Sequence, residues 1–188
     1  VQANKNLVMG VKPPNLILRD TTDANWSDFY SLESEYTILY FWDPGCGHCK
    51  KTTPKMQKLY IEKFKDRNIE IFAIGKAVGE DFEAWKKFIK EHNLTFINVA
   101  VTESLFAAAT KDARQFVPEF TTIESLNYQS TYDIFSLPRV FLLDKDKKII
   151  GKQMSVSQLE DMLDHLQGVK DAPKLFPPNP EEDEQMQH

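Results

Sequence analysis

Cysteine is scarce in this chain, which has only two among its 188 residues. Two cysteines are too few for a disulfide scaffold and too few for a zinc site made of four cysteines. The histidines outside the cysteine pair have no spacing to it that would complete a mixed zinc site. We therefore predict neither a metal site nor a cofactor.

Long apolar runs and an excess of positive charge are also missing. No segment approaches the roughly 18 apolar residues of a membrane span, so we expect no transmembrane segment in this chain. The formal net charge is −5 and no basic stripe carries interleaved aromatic residues, which argues against nucleic acid as a partner. The chain begins at Val1 with no visible signal peptide, so we expect a processed or trimmed piece that lacks its targeting information.

The apolar residues that are present suit one globular domain. Hydrophobic residues make up 41% of the chain, and its length allows one well-buried domain but not two full-sized ones. The segment order β-β-α-β-α-β-β-β-α predicts one layered α/β domain. Strands are predicted at 15–19, 37–42, 69–74, 96–101, 140–143 and 148–150, and helices at 50–64, 80–91 and from about 157.

Local signals refine three of these segments. Pro54 lies inside the first helix and is expected to kink it. Ser157 and Glu160 fit a capping box at the start of the last helix. The proline- and acid-rich tail over 169–188 is expected to be disordered or loosely draped, and residues 1–13 are expected to be flexible, which leaves 14–168 as the domain.

The two cysteines form one motif, Cys46-Gly47-His48-Cys49, between a predicted strand and a predicted helix. This spacing brings the two sulfurs within reach of a disulfide. Unpaired N–H groups at a helix N-terminus favour a thiolate over a thiol. We therefore predict a redox centre in which Cys46, the more exposed, is the nucleophile and Cys49 resolves the mixed disulfide, while Gly47 and His48 tune the couple.

The residues around the motif resemble those of the thioredoxin superfamily. The run Phe41-Trp42-Asp43-Pro44-Gly45-Cys46-Gly47-His48-Cys49-Lys50-Lys51, followed by Pro54, matches in register. The resemblance covers about residues 10–168 and is closest to the TlpA/ResA-like branch of bacterial cell-envelope thiol-disulfide oxidoreductases, of the Bacteroidetes type. The stretch from Pro13 to Leu32 looks like the N-terminal extension of that branch.

This resemblance implies a fold, an activity and a compartment. The fold would be thioredoxin-like, with a central mixed β-sheet flanked by helices. The activity would be thiol-disulfide exchange with protein thiols or disulfides, served by an external redox partner. The compartment would be the periplasm or cell envelope, and an oxidising compartment agrees with a chain that has no unpaired cysteine.

A second landmark of the family is a cis-proline that faces the motif. Pro138, directly before a predicted strand, matches it. The family pairs substrate backbone with this peptide, which implies that Leu137 helps to set substrate choice. Leu137, Pro138 and Trp42 are the expected substrate platform.

The sequence departs from the family in its usual proton acceptors. The family's buried carboxylate, six residues before the first cysteine, is replaced by Tyr40, and a glutamate common after the second cysteine is replaced by Thr52. Asp43 is acidic and nearby, but its place beside Pro44 predicts an exposed loop.

The distance from Cys49 to Pro138 predicts an insertion over about 102–135, since a structureless loop of that length is unusual in a compact domain. Helices are expected at 103–114 and near 123–132. The insertion is interpreted either as helical cover for the sheet edge or as a substrate-contacting lobe next to Pro138.

Two other functions stay open at this point. The tetrapeptide also suits an oxidase or isomerase of the protein disulfide isomerase kind. A non-enzymatic thioredoxin-like module could use the pair to carry Cu(I) or as a structural disulfide. The direction of electron flow depends on a partner outside this chain.

Overall fold

The computed structural model, which describes residues 4–187, contains one mixed sheet of seven strands within that range. The strands are β1 (Ile17–Arg19), β2 (Trp26–Asp28), β3 (Tyr36–Trp42), β4 (Ile69–Gly75), β5 (Ile97–Ala100), β6 (Arg139–Leu143) and β7 (Ile149–Lys152). Their order in the sheet is β2-β1-β5-β4-β3-β6-β7. The central strands β3, β4 and β5 run parallel, and the outer pairs are antiparallel.

Helices cover both faces of this sheet. They are α1 (Gly47–Leu59), α2 (Asp81–Glu91), α3 (Glu103–Lys111), α4 (Ile123–Leu126), α5 (Tyr128–Thr131), α6 (Val156–Leu166) and α7 (Pro180–Gln187). None of the helices within residues 4–187 is long and apolar enough to span a bilayer. The predicted α/β thioredoxin-like class is confirmed, and α3, α4 and α5 form the predicted helical insertion.

Strand β3 carries the core on both of its faces. Ile38 and Tyr40 point into one apolar cluster with α1, α2 and α6. Leu39 and Phe41 point into the other, which contains the N-terminal strands and the insertion. A strand covered on both faces has no alternation of apolar and polar residues, which explains its continuous apolar sequence.

The insertion covers a face of the sheet as well as its edge. Tyr132 and Tyr128 contact Phe41 with ring centroids 5.1 and 5.9 Å apart, and Tyr132 also contacts Phe141 of β6 at 5.5 Å. Aromatic pairs at these separations add to the free energy of burial. This half of the insertion is therefore helical cover for a face of the sheet, formed by β3 and β6, and not for the sheet edge that was expected.

The last core helix begins earlier than predicted. Ser155, and not Ser157, caps α6, and its partner in the capping box is Gln158. Both serines fit the same pattern, but the Glu160 carboxylate is buried and accepts a hydrogen bond from Lys63 at 2.7 Å. Glu160 is therefore not available to cap a helix.

The N-terminal segment is ordered where the structure describes it. Residues 1–3 of the segment predicted to be flexible lie outside the described residues. From Asn4 the chain makes a short 3-10 turn over Lys5–Leu7, and Leu7 is buried. The backbone then pairs with β7, where Gly10 N–H donates to Ile149 O at 2.8 Å and Ile149 N–H to Val11 O at 3.0 Å.

The C-terminal tail is also packed, contrary to the expectation of a disordered or draped segment. Its last residue, 188, lies outside the described residues. Met186 of α7 is only 2% exposed and joins the core cluster under α1 and α6. Acidic residues of the tail have specific partners, since Glu182 pairs with Lys55 at 3.1 Å and Asp183 accepts from Ser157 at 3.1 Å. Composition alone cannot reveal such partners, which explains the wrong expectation.

Candidate functional site

The two cysteines lie where β3 gives way to α1. A tight turn follows Trp42, in which the Asp43 carboxylate accepts from Gly45 N–H at 2.8 Å and the Asp43 carbonyl accepts from Cys46 N–H at 3.1 Å. Cys46 is the N-cap of α1, with the extended backbone angles that such a position requires. The turn thus sets the Cys46 sulfur at the open end of the helix.

The Cys46 sulfur has two polar neighbours. It accepts from Cys49 N–H at 3.3 Å, as an N-cap oxygen would, and its thiol donates to the carbonyl of Leu137 at 3.6 Å. The side chain is half-buried, so one side of the sulfur faces solvent. Helix N–H groups aimed at a sulfur favour its thiolate, which is the form that attacks disulfides.

Cys49 has the opposite surroundings. It is a free thiol and buried, one turn into α1. Burial raises the pKa of Cys49, its hydrogen bond with Cys46 raises it further, and only the Asp43 backbone amide acts in the other direction. The site therefore pairs one accessible sulfur with one that stays protonated inside the fold.

Gly47 and His48 lie between the cysteines in different settings. Gly47 is exposed, and a methyl group added to it would meet nothing. His48 is half-buried, and its Nε2 has no hydrogen-bond partner among residues 4–187. Any influence of Gly47 on the couple is therefore not steric, whereas His48 is constrained by its neighbours.

A polar chamber lies beside His48, between α1 and α7. Its volume is about 190 Å³, and its lining includes Thr52, Glu181 and Glu182. Thr52 is 3% exposed, and its hydroxyl has no partner within the described residues. Sequence reasoning missed this contribution of the tail, because no local signal places α7 against the motif helix.

Only part of the predicted substrate platform lies next to the cysteines. The Leu137–Pro138 peptide bond is cis, and its Leu137 carbonyl is the one that Cys46 contacts. Trp42, by contrast, is 1% exposed and packs on Phe88 with ring centroids 5.2 Å apart. The expectation that Trp42 contacts substrate is therefore wrong, since no surface of its ring is available.

Hydroxyl groups occupy the positions where the family carries carboxylates. Tyr40 is buried and shares a hydrogen bond of 2.8 Å with the Thr53 hydroxyl. Burial, with the nearby Cys49, raises the pKa of Tyr40 well above its usual value, so it stays neutral. Asp43 is half-buried, not exposed as predicted, and its carboxylate is the one that acts on Cys49 electrostatically.

Metal ligands are not gathered at this site. Within residues 4–187, no group of three or more histidine, cysteine, aspartate or glutamate side chains could hold a metal ion. The two sulfurs therefore have no third such ligand in the part of the chain that the structure describes.

Comparison with known proteins gives consistent matches. A family model described as thioredoxin-like matches residues 34–149. The thiol-disulfide oxidoreductase ResA of Bacillus cereus (strain ZK / E33L) is 27% identical over 165 residues, which cover 88% of this chain and 80% of ResA.

Solved structures agree in fold. A domain of a possible thiol-disulfide isomerase from Cytophaga hutchinsonii is 30% identical with a TM-score of 0.66, covering 88% of this chain and 97% of that domain. The thioredoxin domain of a thiol-disulfide oxidoreductase from Bacteroides vulgatus has the same TM-score, 0.66, at 23% identity, covering 85% and 98%. The second likeness concerns the fold alone.

Proposed function

Because this chain belongs to the thioredoxin-like family and is, like its ResA-type relatives, a thiol-disulfide oxidoreductase, we propose that it exchanges disulfides with proteins through the Cys46–Cys49 dithiol. The observation that carries this proposal is the asymmetry of the two sulfurs. Cys46 is half-buried at the helix N-terminus, and Cys49 is fully buried behind it.

In the reducing direction, the exchange has two steps. The Cys46 thiolate attacks a substrate disulfide, forms a mixed disulfide and releases one substrate thiolate. Cys49 then attacks the Cys46 sulfur, which closes the Cys46–Cys49 disulfide and releases the second substrate thiolate. The proton lost by Cys49 balances one departing thiolate, and two electrons pass from the dithiol to the substrate.

The surroundings of each sulfur fit these roles. Cys46 lies at the N-terminus of α1, where the backbone N–H of Cys49 donates to its sulfur, and the thiolate is the attacking form. Burial keeps Cys49 protonated until the mixed disulfide lies next to it, which protects the dithiol from premature reaction. The cis peptide before Pro138 supports an extended substrate segment next to Cys46, and Gly47 and His48 tune the couple.

The dithiol needs an external redox partner, a protein dithiol in the reducing direction or a disulfide in the oxidising one. We place the protein in the periplasm or cell envelope. The ResA-type relatives and the lack of any cysteine outside the pair support this location. The alternative activity is that of a disulfide isomerase, and its support is that the similar Cytophaga hutchinsonii domain is described as a possible thiol-disulfide isomerase.

Insulin reduction by the purified chain, with dithiothreitol as reductant, tests the proposal. We expect Cys46→Ser to lose at least ~1,000-fold in rate, since a hydroxyl cannot replace the thiolate. Cys49→Ser should accumulate a covalent mixed disulfide with substrate, visible by mass spectrometry. Activity that survives Cys46→Ser would overturn the proposal.

The redox potential of the couple, measured in glutathione buffers, separates the two directions. A potential near that of thioredoxin, about −270 mV, favours a reductase, and one near about −180 mV favours an isomerase. Stoichiometric copper retention without exchange activity would instead support a metal carrier.

A further inference from the structure

Phe135 is the most exposed large apolar side chain among the described residues, at 90%. It lies at the end of the insertion, three residues before Pro138. The sheet face under the insertion is already covered by Tyr128 and Tyr132, so the fold itself does not need Phe135. A phenyl ring exposed to this degree, in the same groove as Cys46, is available for contact with another molecule.

Phe135 lines a surface groove that includes the nucleophile. The groove encloses about 390 Å³, and its apolar lining comes from Ile134, Phe135 and Leu137. Cys46 and Lys76 line the same groove. Because the reacting sulfur is part of the lining, an occupant that reacts with Cys46 must lie along these side chains.

Lys76 gives this groove a positive charge. Its backbone N–H donates to Trp42 O at 2.9 Å, which ties the residue to the end of β3. No carboxylate of residues 4–187 forms an ion pair with its ammonium group, unlike Lys55 and Lys63. The groove therefore combines an apolar wall with an unpaired cation, on a surface that contains the Cys46 sulfur.

We propose that this groove selects an extended protein segment that carries a bulky apolar residue and an acidic residue close to the reacting cysteine. The apolar residue packs on Phe135 and Ile134, and the acidic residue pairs with Lys76. This inference rests on the proposed function and specifies its substrates. A small disulfide such as glutathione has no bulky apolar side chain to pack on Phe135, so the groove favours polypeptides over small disulfides.

Two peptides test the selection, each carrying one cysteine as a mixed disulfide with thionitrobenzoate. One flanks the cysteine with phenylalanine and glutamate, and the other with serine and lysine. Attack of the Cys46 thiolate on the peptide sulfur breaks the mixed disulfide and releases thionitrobenzoate, which is measured by its absorbance. The quantity of interest is the ratio of the second-order rate constants for the two peptides, measured in a single turnover of the reduced protein.

We expect the phenylalanine–glutamate peptide to react at least about tenfold faster, equivalent to 1.4 kcal/mol. Phe135→Ala should remove most of this preference, and Phe135→Leu should keep most of it. Lys76→Gln should lower the ratio by about threefold, the range of an exposed ion pair. The control is Phe120→Ala, because Phe120 is a less exposed phenylalanine of the insertion that lies outside the groove, and this change should leave the ratio unchanged.

Equal rates for both peptides in the wild-type protein, or an unchanged ratio in Phe135→Ala with its melting temperature preserved, would overturn this inference. Neither result would affect the proposed function. Failure of the wild-type dithiol to react with the symmetrical disulfide of thionitrobenzoate, which carries no peptide, would instead overturn the proposed function. The two failures are therefore distinguishable.

Discussion

Helix α1 continues into a π-helical turn (Tyr60–Phe64) and a 3-10 turn (Lys65–Arg67), and the two ends of this longer segment differ in how their buried polar groups are paired. At the far end, five charged side chains form an ion network, Lys63, Arg67, Glu160, Asp164 and Lys174. At the near end, the thiol end, the polar groups are Cys46, His48, Cys49 and Thr52. Both ends pack against residues of the C-terminal tail.

In the ion network, every buried charge has partners. Lys63 lies between Glu160 at 2.7 Å and Asp164 at 2.9 Å, and Asp164 also pairs with Arg67 at 2.6 Å. The Glu160 carboxylate further accepts from the backbone N–H groups of Leu175 and Phe176 at 2.7 and 2.9 Å. A network satisfied to this degree holds the tail in one position.

At the thiol end, buried polar atoms stay unpaired. Within the described chain, neither His48 Nε2 nor the Thr52 hydroxyl has a hydrogen-bond partner, and burial raises the pKa of Cys49. Unsatisfied groups of this kind lower stability, and a raised pKa next to a reactive sulfur is typical of a functional site. The comparison teaches that the far end of the segment stabilises the fold while the near end is kept reactive.

The largest effect on stability is expected when a buried charge of the ion network loses one of its partners. Glu160→Gln keeps the volume but leaves Lys63 with one carboxylate and places an amide N–H against backbone donors. We expect the free energy of unfolding, measured in urea, to fall by about 3 kcal/mol, as for a broken buried pair. Glu184→Gln, at an exposed position of α7, is the control and should change the free energy of unfolding by less than about 0.5 kcal/mol.

A smaller effect should follow from loosening the tail without touching a charge. Met186→Ala removes the apolar anchor of α7, and we expect a loss of about 2 kcal/mol in the free energy of unfolding. Exchange protection of the α7 amides should fall with it, by hydrogen–deuterium exchange. Unchanged protection would show that the ion network alone holds the tail.

Lowering the pH should remove the stability that the ion network contributes. Burial alone would raise the pKa of Asp164, but hydrogen bonds from Lys174, Lys63 and Arg67 lower it to about 2. A depressed pKa contributes stability that is present above the unfolded value near 3.8 and is lost as the pH falls through about 2. Wild-type protein should therefore lose about 1–2 kcal/mol more than Asp164→Asn between pH 4 and pH 2; parallel curves would contradict the ion network.

The smallest effect is expected at Gly47. An added methyl group meets no atom, and the residue is the first of α1. Gly47→Ala should therefore raise the free energy of unfolding by about 0.4–1 kcal/mol, and the rate of insulin reduction should stay within about threefold, since the thiols are untouched. A destabilised variant would show that this end of the helix is strained.

The core elements could be predicted from the sequence because the signals for them are local. The apolar run of β3, the paired cysteines and the amphipathic helices all lie within short stretches of sequence. Strand β2 was missed because three edge residues carry no pattern. The choice of Ser155 over Ser157 depends on Lys63, almost a hundred residues from Glu160, and the packing of α7 depends on partners equally remote.

The same distinction between local signals and remote contacts applies to the candidate site. The cysteines and Pro138 were found from motif and position, since both lie at strand ends. The burial of Trp42 and the chamber beside His48 were not, because both depend on side chains from other elements, Phe88 and the tail.

The central claim is that Cys46 is the reactive thiol, whereas burial protects the Cys49 thiol from reaction. Iodoacetamide labelling of the reduced protein at pH 7, followed by mass spectrometry of each cysteine, tests it directly. We predict that Cys46 is labelled at least ~10-fold faster than Cys49, and that unfolding in urea abolishes the difference. Labelling of Cys49 as fast as Cys46 in the folded protein would contradict the account.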